Sequence, residues 1–171
     1  MNTKLTLLAV IEILSALSMG IFILASTYQF LKYYGKKKYD IHSNNQAYGI
    51  FMAAVLFSVG LTMSGVIQPL LSLFRIFATK DVGTLELAWK FIGYGAIYIA
   101  MAYVLAVAVC ASGIFIYMFL TPIDEFAELK NNNISVALVV GSIIITLSLL
   151  TNNGVDLLVE SFIPYPQQYP K

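Results

Sequence analysis

The stretch Ile134–Leu150, ISVALVVGSIIITLSLL, contains no charged residue and no proline. Apolar and small residues follow one another without the alternation of a barrel strand, so the run reads as helix. A bilayer core about 30 Å thick takes roughly 20 residues of helix. The polar triplet Thr151-Asn152-Asn153 follows, and the apolar character resumes from Gly154 to Ile163. The segment is long enough to cross a membrane.

Three further runs have the same character. Leu5–Leu31 is bracketed by Lys4 and Lys32, Ala47–Phe74 is closed by Arg75, and Phe91–Leu120 is opened by Trp89-Lys90 and closed by Thr121-Pro122. Hydrophobic residues make up 59% of the 171 and charged residues 11%. Soluble domains carry about 25% charge, so this surplus of apolar surface has to face lipid. The first run is longer than a signal-peptide core and carries Glu12, so it reads as an uncleaved span. Pro69 is expected to kink or end the second. Tyr28, Tyr33, Tyr34, Trp89, Tyr94 and Tyr117 fall near run ends, where amphipathic rings favour the interface. The expectation is an all-α membrane protein with a four-helix domain over residues 1–163 and a Pro-rich tail over 164–171.

The hexapeptides Asp40–Asn45 and Glu128–Asn133 share an acid, an aliphatic, a base-capable residue, a polar residue and two asparagines, at an offset of 88. At that offset Gly49, Ala53, Gly60 and Ser64 match Ala137, Gly141, Ser148 and Asn152. A slip of one residue also matches Ser64-Gly65-Val66 with Asn153-Gly154-Val155. This reads as a duplicated helical hairpin, repeat 1 over about 5–78 and repeat 2 over about 88–163. Two hairpins with two spans each enter the membrane alike, giving a parallel repeat. Small residues let helices approach closely in lipid. The stripes are therefore expected to put spans two and four inside the bundle, with Ala96/Ala100 and Ala102/Ala106 contributing from span three. Asn45 and Asn133 are the expected helix starts, since asparagine is a favoured N-cap.

Glu12 lies inside the first span, and intramembrane carboxylates are functional candidates by default. The alternative is a shallow, interfacial acid that only touches a neighbouring helix. Asp156, with Asn152, Asn153 and Glu160, makes the end of span four polar. It is either a hydrated interior or a solvated helix end. Glu12 and Asp156 fall at similar depth, with Ser64, Thr62 and Gln68 at that level, so one polar site could hold them. The acidic trio Asp124, Glu125 and Glu128 reads as a solvated approach to the last helix.

Loops 32–46 and 121–133 share one side of the membrane in this topology. Lys32, Lys36, Lys37, Lys38 and Lys130 lie there, against Lys4, Arg75, Lys80, Lys90 and Lys171 opposite. The tally ties. The dense Lys36–Lys38 cluster favours a cytoplasmic loop with both termini outside.

The segment Asp124–Gly141 has an acidic approach, Lys130, three asparagines and a small-residue helix. With Asn45, Ala47 and Gly49 in the first unit, it resembles the YjfL-like bacterial inner-membrane proteins, a family of unknown function. The first unit departs in having Ala53 where the second has Gly141, and in its lysine-rich approach. The resemblance implies a bacterial inner-membrane location and no established activity.

Chemistry-bearing motifs are scarce. Cys110 is the only cysteine, so no internal disulfide or Cys-x-x-Cys pair can form. His42, the only histidine, lies in a loop, and no Ser-His-Asp set is apparent around it. No HExxH, Walker loop or dinucleotide fingerprint occurs. A net charge of +1 gives no field for nucleic acid. The expectation is a non-enzymatic membrane subunit or scaffold without cofactor or metal, with the bilayer and further copies or other subunits as partners. The alternative is a channel or transporter subunit that uses Glu12 and Asp156.

Overall fold

The computed structural model describes residues 3–42, 44–70, 72, 84–121 and 124–163, with residues 3–12 described by backbone alone. The Pro-rich tail and the side chain of Glu12 lie outside the described residues. Every described element is a helix: α1 (Thr3–Tyr39), α2 (Gln46–Gly65), α3 (Thr84–Leu120), α4 (Glu125–Lys130) and α5 (Ile134–Ser161). Three of them, over Gln46–Leu70, Ile92–Leu120 and Ile134–Ser161, are long and apolar enough to cross a membrane. The chain is a helical membrane protein.

α2 and α5 run parallel, side by side. Their N-termini are tied together, Ala54 meets Gly141 further along, and Gly65 meets the Asp156 carboxylate near the other end. α1 runs antiparallel to α2. The Tyr48 hydroxyl donates to the Leu31 carbonyl at 2.6 Å, its ring lies over Gly35, and Leu24 reaches Gly60. α3 runs antiparallel to α5, with Gly113 against the Ile144 backbone and the Tyr98 hydroxyl donating to the Phe162 carbonyl at 2.8 Å.

Several boundaries differ from the sequence expectation. α1 does not stop at Leu31: it continues to Tyr39, with Lys36, Lys37 and Lys38 in its last turn, where cations complement the helix dipole. Asp40 then adopts a positive φ of 52° and the chain turns back, Ile41 N–H donating to the Gly35 carbonyl. α3 begins at Thr84, ahead of Trp89, and Lys90 pairs with Glu86 at 2.6 Å in its opening turns. α5 runs unbroken through Thr151-Asn152-Asn153. α2 breaks at Val66 and resumes as helix through Leu70. Pro69 explains the break: it has no N–H for the Gly65 carbonyl, and its ring clashes with that carbonyl.

The small-residue stripes divide. Ala137, Gly141 and Ser148 of α5 are buried in the bundle, as are Ala102 and Ala106 of α3. Their α2 counterparts are not. Ala53 and Ser64 are exposed, and a Cβ built on Gly49 meets nothing. The face α2 buries carries Ala47, Phe51, Ala54, Ser58 and Thr62, so the expected interior role of Gly49 and Ala53 is corrected, while Gly60 is half-buried beside Leu24 of α1. Successive residues on a helix point about 100° apart, so a neighbouring stripe faces elsewhere. Ala96 and Ala100 also lie on an outer face.

Candidate functional site

Three arrangements concentrate the polar and cavity-forming residues. The first is a junction between the two hairpin loops. Asn45 caps α2, its Oδ1 accepting from Tyr48 N–H at 2.7 Å. Its Nδ2 reaches the other hairpin and donates to the carbonyls of Leu129 at 2.6 Å and Lys130 at 3.0 Å. The Leu129 carbonyl also accepts from Asn132 N–H at 3.1 Å, and the Lys130 carbonyl is one that the end of α4 leaves without a helical partner. In return, Asn132 Oδ1 accepts from Ala47 N–H at 2.9 Å, in the first turn of α2.

The triple asparagine works one residue at a time. Asn131 is the C-cap of α4. Asn132 takes a positive φ of 61°, and Asn133 N–H returns to the Glu128 carbonyl. This is a Schellman ending with asparagine in the left-handed position. Asn133 caps α5 through Val136 N–H and donates from Nδ2 to Glu128 Oε2 at 2.7 Å. Of the acidic trio, Asp124 caps α4, Glu128 holds Asn133, and Glu125 is only 1% exposed, which corrects the expectation of a solvated trio. Neither Glu125 carboxylate oxygen has a hydrogen-bond partner among the described residues.

The second arrangement is a polar row along the α2–α5 pair. Ser58 and Thr62 lie between the Ala54 and Gly65 contacts on α2, and Ser148 and Asn152 between Gly141 and Asp156 on α5. Ser58, Thr62 and Ser148 are fully buried. Thr62 is satisfied by the Ser58 carbonyl, whereas Ser58 Oγ, Ser148 Oγ, Asn152 Oδ1 and Asp156 Oδ1 are buried without a hydrogen-bond partner. Each such atom costs about 1–3 kcal/mol when it stays without a partner, so the row is a polar seam in an otherwise apolar helix pair. Of the residues expected to form one polar site, Asn152 and Asp156 enter this row. Asn153 and Ser64 are exposed, Ser64 donating to the Leu61 carbonyl. Glu12 is on α1, its side chain outside the described residues. Ser58 and Ser148 could have been found in the sequence as hydroxyls at buried helical positions, and Glu125 carried no such signal.

The third is an apolar cavity of about 470 Å³ between α1, α2 and α3. Thr27, Tyr34, Tyr48, Val59, Tyr103 and Met118 mark its extent. Thr27 Oγ1 and the Tyr103 hydroxyl share a hydrogen bond at 3.1 Å across the α1–α3 gap. At the loop end, Tyr39 stacks on Phe126 with ring centroids 4.4 Å apart, and Tyr34 and Phe51 meet Phe126 edge-on. Three lysines of this end, Lys32, Lys37 and Lys38, sit four residues after a tyrosine. Lys37 donates to Tyr33 at 2.6 Å and Lys38 to Tyr34 at 2.9 Å, and Lys32 stands over the Tyr28 ring. The bond from Lys38 lowers the Tyr34 phenol below its usual value and raises the Lys38 ammonium, while burial raises Tyr39. No group of three or more His, Cys, Asp or Glu that could hold a metal occurs among the described residues.

These features define a helical membrane protein with a parallel helix pair at its centre. The model of a family described as Domain of Unknown Function (DUF350) matches residues 91–162, which cover most of α3, all of α4 and all of α5. No curated protein and no solved structure matches the chain.

Proposed function

We propose that this chain is a non-enzymatic subunit of an inner-membrane assembly that associates with itself through the outer face of α2. The observation that carries this reading is the stripe Gly49, Ala53, Gly60 and Ser64, which lies on one side of α2 and is left uncovered or half-covered by the protomer. Leu24, Ala53, Phe57, Gly60 and Ser64 line a shallow apolar groove there. Helices in lipid gain little from hiding apolar surface and associate where small residues permit close backbone approach. A stripe of this kind facing outward suits a second helix.

The same reading takes α1 as a fourth crossing. Ile13, Leu14, Leu17, Ile21 and Phe22 are all exposed on it, which suits lipid and not water. It also takes the two hairpins as duplicates. α1 and α3 are each 37 residues long, and the buried positions of α2 and α5 coincide at an offset of 89: Ala47 with Val136, Phe51 with Val140, Val55 with Ile144, Val59 with Ser148. α4 is the insertion in the second unit. The same reading keeps the YjfL-like resemblance and the bacterial inner membrane that it implies, and takes the Lys36–Lys38 end as cytoplasmic, with both termini outside, from the density of that lysine cluster.

Native mass measurement of the full chain released from membranes tests self-association. A defined multimer is expected for wild type, and Ala53→Leu or Gly60→Leu, which fill the stripe, should shift it to monomer. A monomeric wild type, or a multimer indifferent to both substitutions, refutes the reading.

A second reading, a channel or transporter subunit, is favoured by the unpartnered row Ser58, Ser148, Asn152 and Asp156. Ion or proton flux into liposomes should then fall at least about tenfold in Asp156→Asn, the equivalent of 1.4 kcal/mol in a barrier. Absence of flux in wild type removes it.

A further inference from the structure

We propose that the cavity between α1, α2 and α3 is a binding site for one acyl chain of an anionic phospholipid, with the headgroup held by the lysines at the end of α1. This goes beyond self-association, because the cavity lies away from the outer stripe of α2.

The cavity has the size and lining that an acyl chain requires. Its 470 Å³ falls within the roughly 300–1,000 Å³ typical of ligand pockets. Val55, Val59, Val107, Ile114 and Met118 line it, and its few polar groups include the mutually bonded Thr27 and Tyr103. Along α3 the lining runs from Tyr103 to Met118, which is about 22 Å at 1.5 Å per residue. One leaflet of a 30 Å core is about 15 Å deep, so the cavity accommodates a chain along the membrane normal.

Charge identifies the headgroup. Tyr34 lines the loop end of the cavity, and Lys38 is bonded to its hydroxyl, so one ammonium stands at the mouth. Lys32, Lys36 and Lys37 lie within two turns of it, and none of the four forms an ion pair with a carboxylate among the described residues. Tyr34 and Tyr48 place aromatic rings between the apolar lining and this cationic end. A phosphodiester with one negative charge complements the arrangement. A zwitterionic headgroup brings its own cation to the same place and gains less. Nearby basic residues contribute to anionic-lipid binding individually.

The test is titration of delipidated full-length protein in detergent with phosphatidylglycerol or phosphatidylcholine of identical acyl chains, read by native mass spectrometry. A diazirine on the acyl chain of the same lipids maps the contact. The expected result is one tightly retained phosphatidylglycerol per chain, with label on α3 between Tyr103 and Met118. Val107→Trp, which fills the crevice, should reduce retention of both lipids at least about tenfold. Lys38→Gln leaves the apolar site intact and should reduce only the preference for phosphatidylglycerol, by about fivefold. Equal retention of the two lipids by wild type, or retention unaffected by Val107→Trp, overturns the proposal. So does label confined to other helices. A Val107→Trp variant that loses oligomeric mass and keeps its lipid assigns the crevice to a protein partner instead, which also overturns it.

Discussion

Asn45 joins the start of α2 to the end of α4, more than 80 residues away in sequence. An asparagine that only caps a helix tolerates aspartate, which ranks with it at that position. Asn45 has a second task, because its amide supplies two protons to the Leu129 and Lys130 carbonyls. Asn45→Ala is expected to lower stability by about 1–3 kcal/mol through the lost cap and the lost link to the Leu129 and Lys130 carbonyls, of which Leu129 keeps its bond from Asn132 N–H. Asn45→Asp keeps the cap but sets a carboxylate against those carbonyls, and thermal unfolding in detergent should find it no more stable than Asn45→Ala. Wild-type stability in Asn45→Asp would show that the cap alone matters. The capping role was legible in the sequence, because cap chemistry is local. The link to the second hairpin was not, because it depends on which loops meet. Glu125 was misread for the same reason: a charged residue between Asp124 and Glu128 reads as solvated until the packing of α4 is known. An unpartnered buried carboxylate is costly. Glu125→Gln should therefore leave the melting temperature unchanged or raise it, and a marked fall would mean that the charge is held by a group outside the described residues.

At the scale of helices, the four apolar runs, the break caused by Pro69 and the pairing of spans two and four could be read from sequence. The face that α2 turns inward could not. In soluble helices a polar face marks the outside, but the most apolar 18 residues within Gln46–Leu70 have a mean hydropathy of 2.2 and offer no such contrast. Small residues were the remaining guide, and α2 carries two small-residue stripes. One, with Ala47, Ala54, Ser58 and Thr62, is buried, and the other has Ala53 exposed and Gly49 and Gly60 half-buried. Gly65 is where the helix pair closes most tightly, since a Cβ there would fall on the Asp156 carboxylate. Gly65→Ala is expected to cost about 1–3 kcal/mol as overpacking. Asp156→Ala should recover much of that loss in the double variant, a coupling of about 0.5–3 kcal/mol. Additive losses would mean that the two residues do not meet in the membrane.

At the scale of the molecule, composition alone assigned the chain to lipid. The large exposed side chains agree: Phe22, Phe115, Phe119, Leu120 and Leu150 are each more than two-thirds exposed. The paired asparagine caps of α2 and α5 were visible in the sequence, and the register of the two helices was the harder part. The caps coincide at an offset of 88 and the buried positions at 89, so one helix is turned by about 100° relative to the sequence alignment. That rotation sends one small-residue stripe into the bundle and its counterpart out of it.

The parallel α2–α5 pair underlies the hairpin arrangement, the polar row and the outward stripe, and cysteine cross-linking in native membranes tests it most directly. In a Cys110→Ser background, Ala54→Cys/Gly141→Cys and Gly65→Cys/Asp156→Cys place thiols near opposite ends of the pair. Parallel helices bring both pairs together within one chain, so both should oxidise to intramolecular disulfides. Antiparallel helices can satisfy at most one. A disulfide at one pair alone, or cross-links only between chains, would contradict the parallel core.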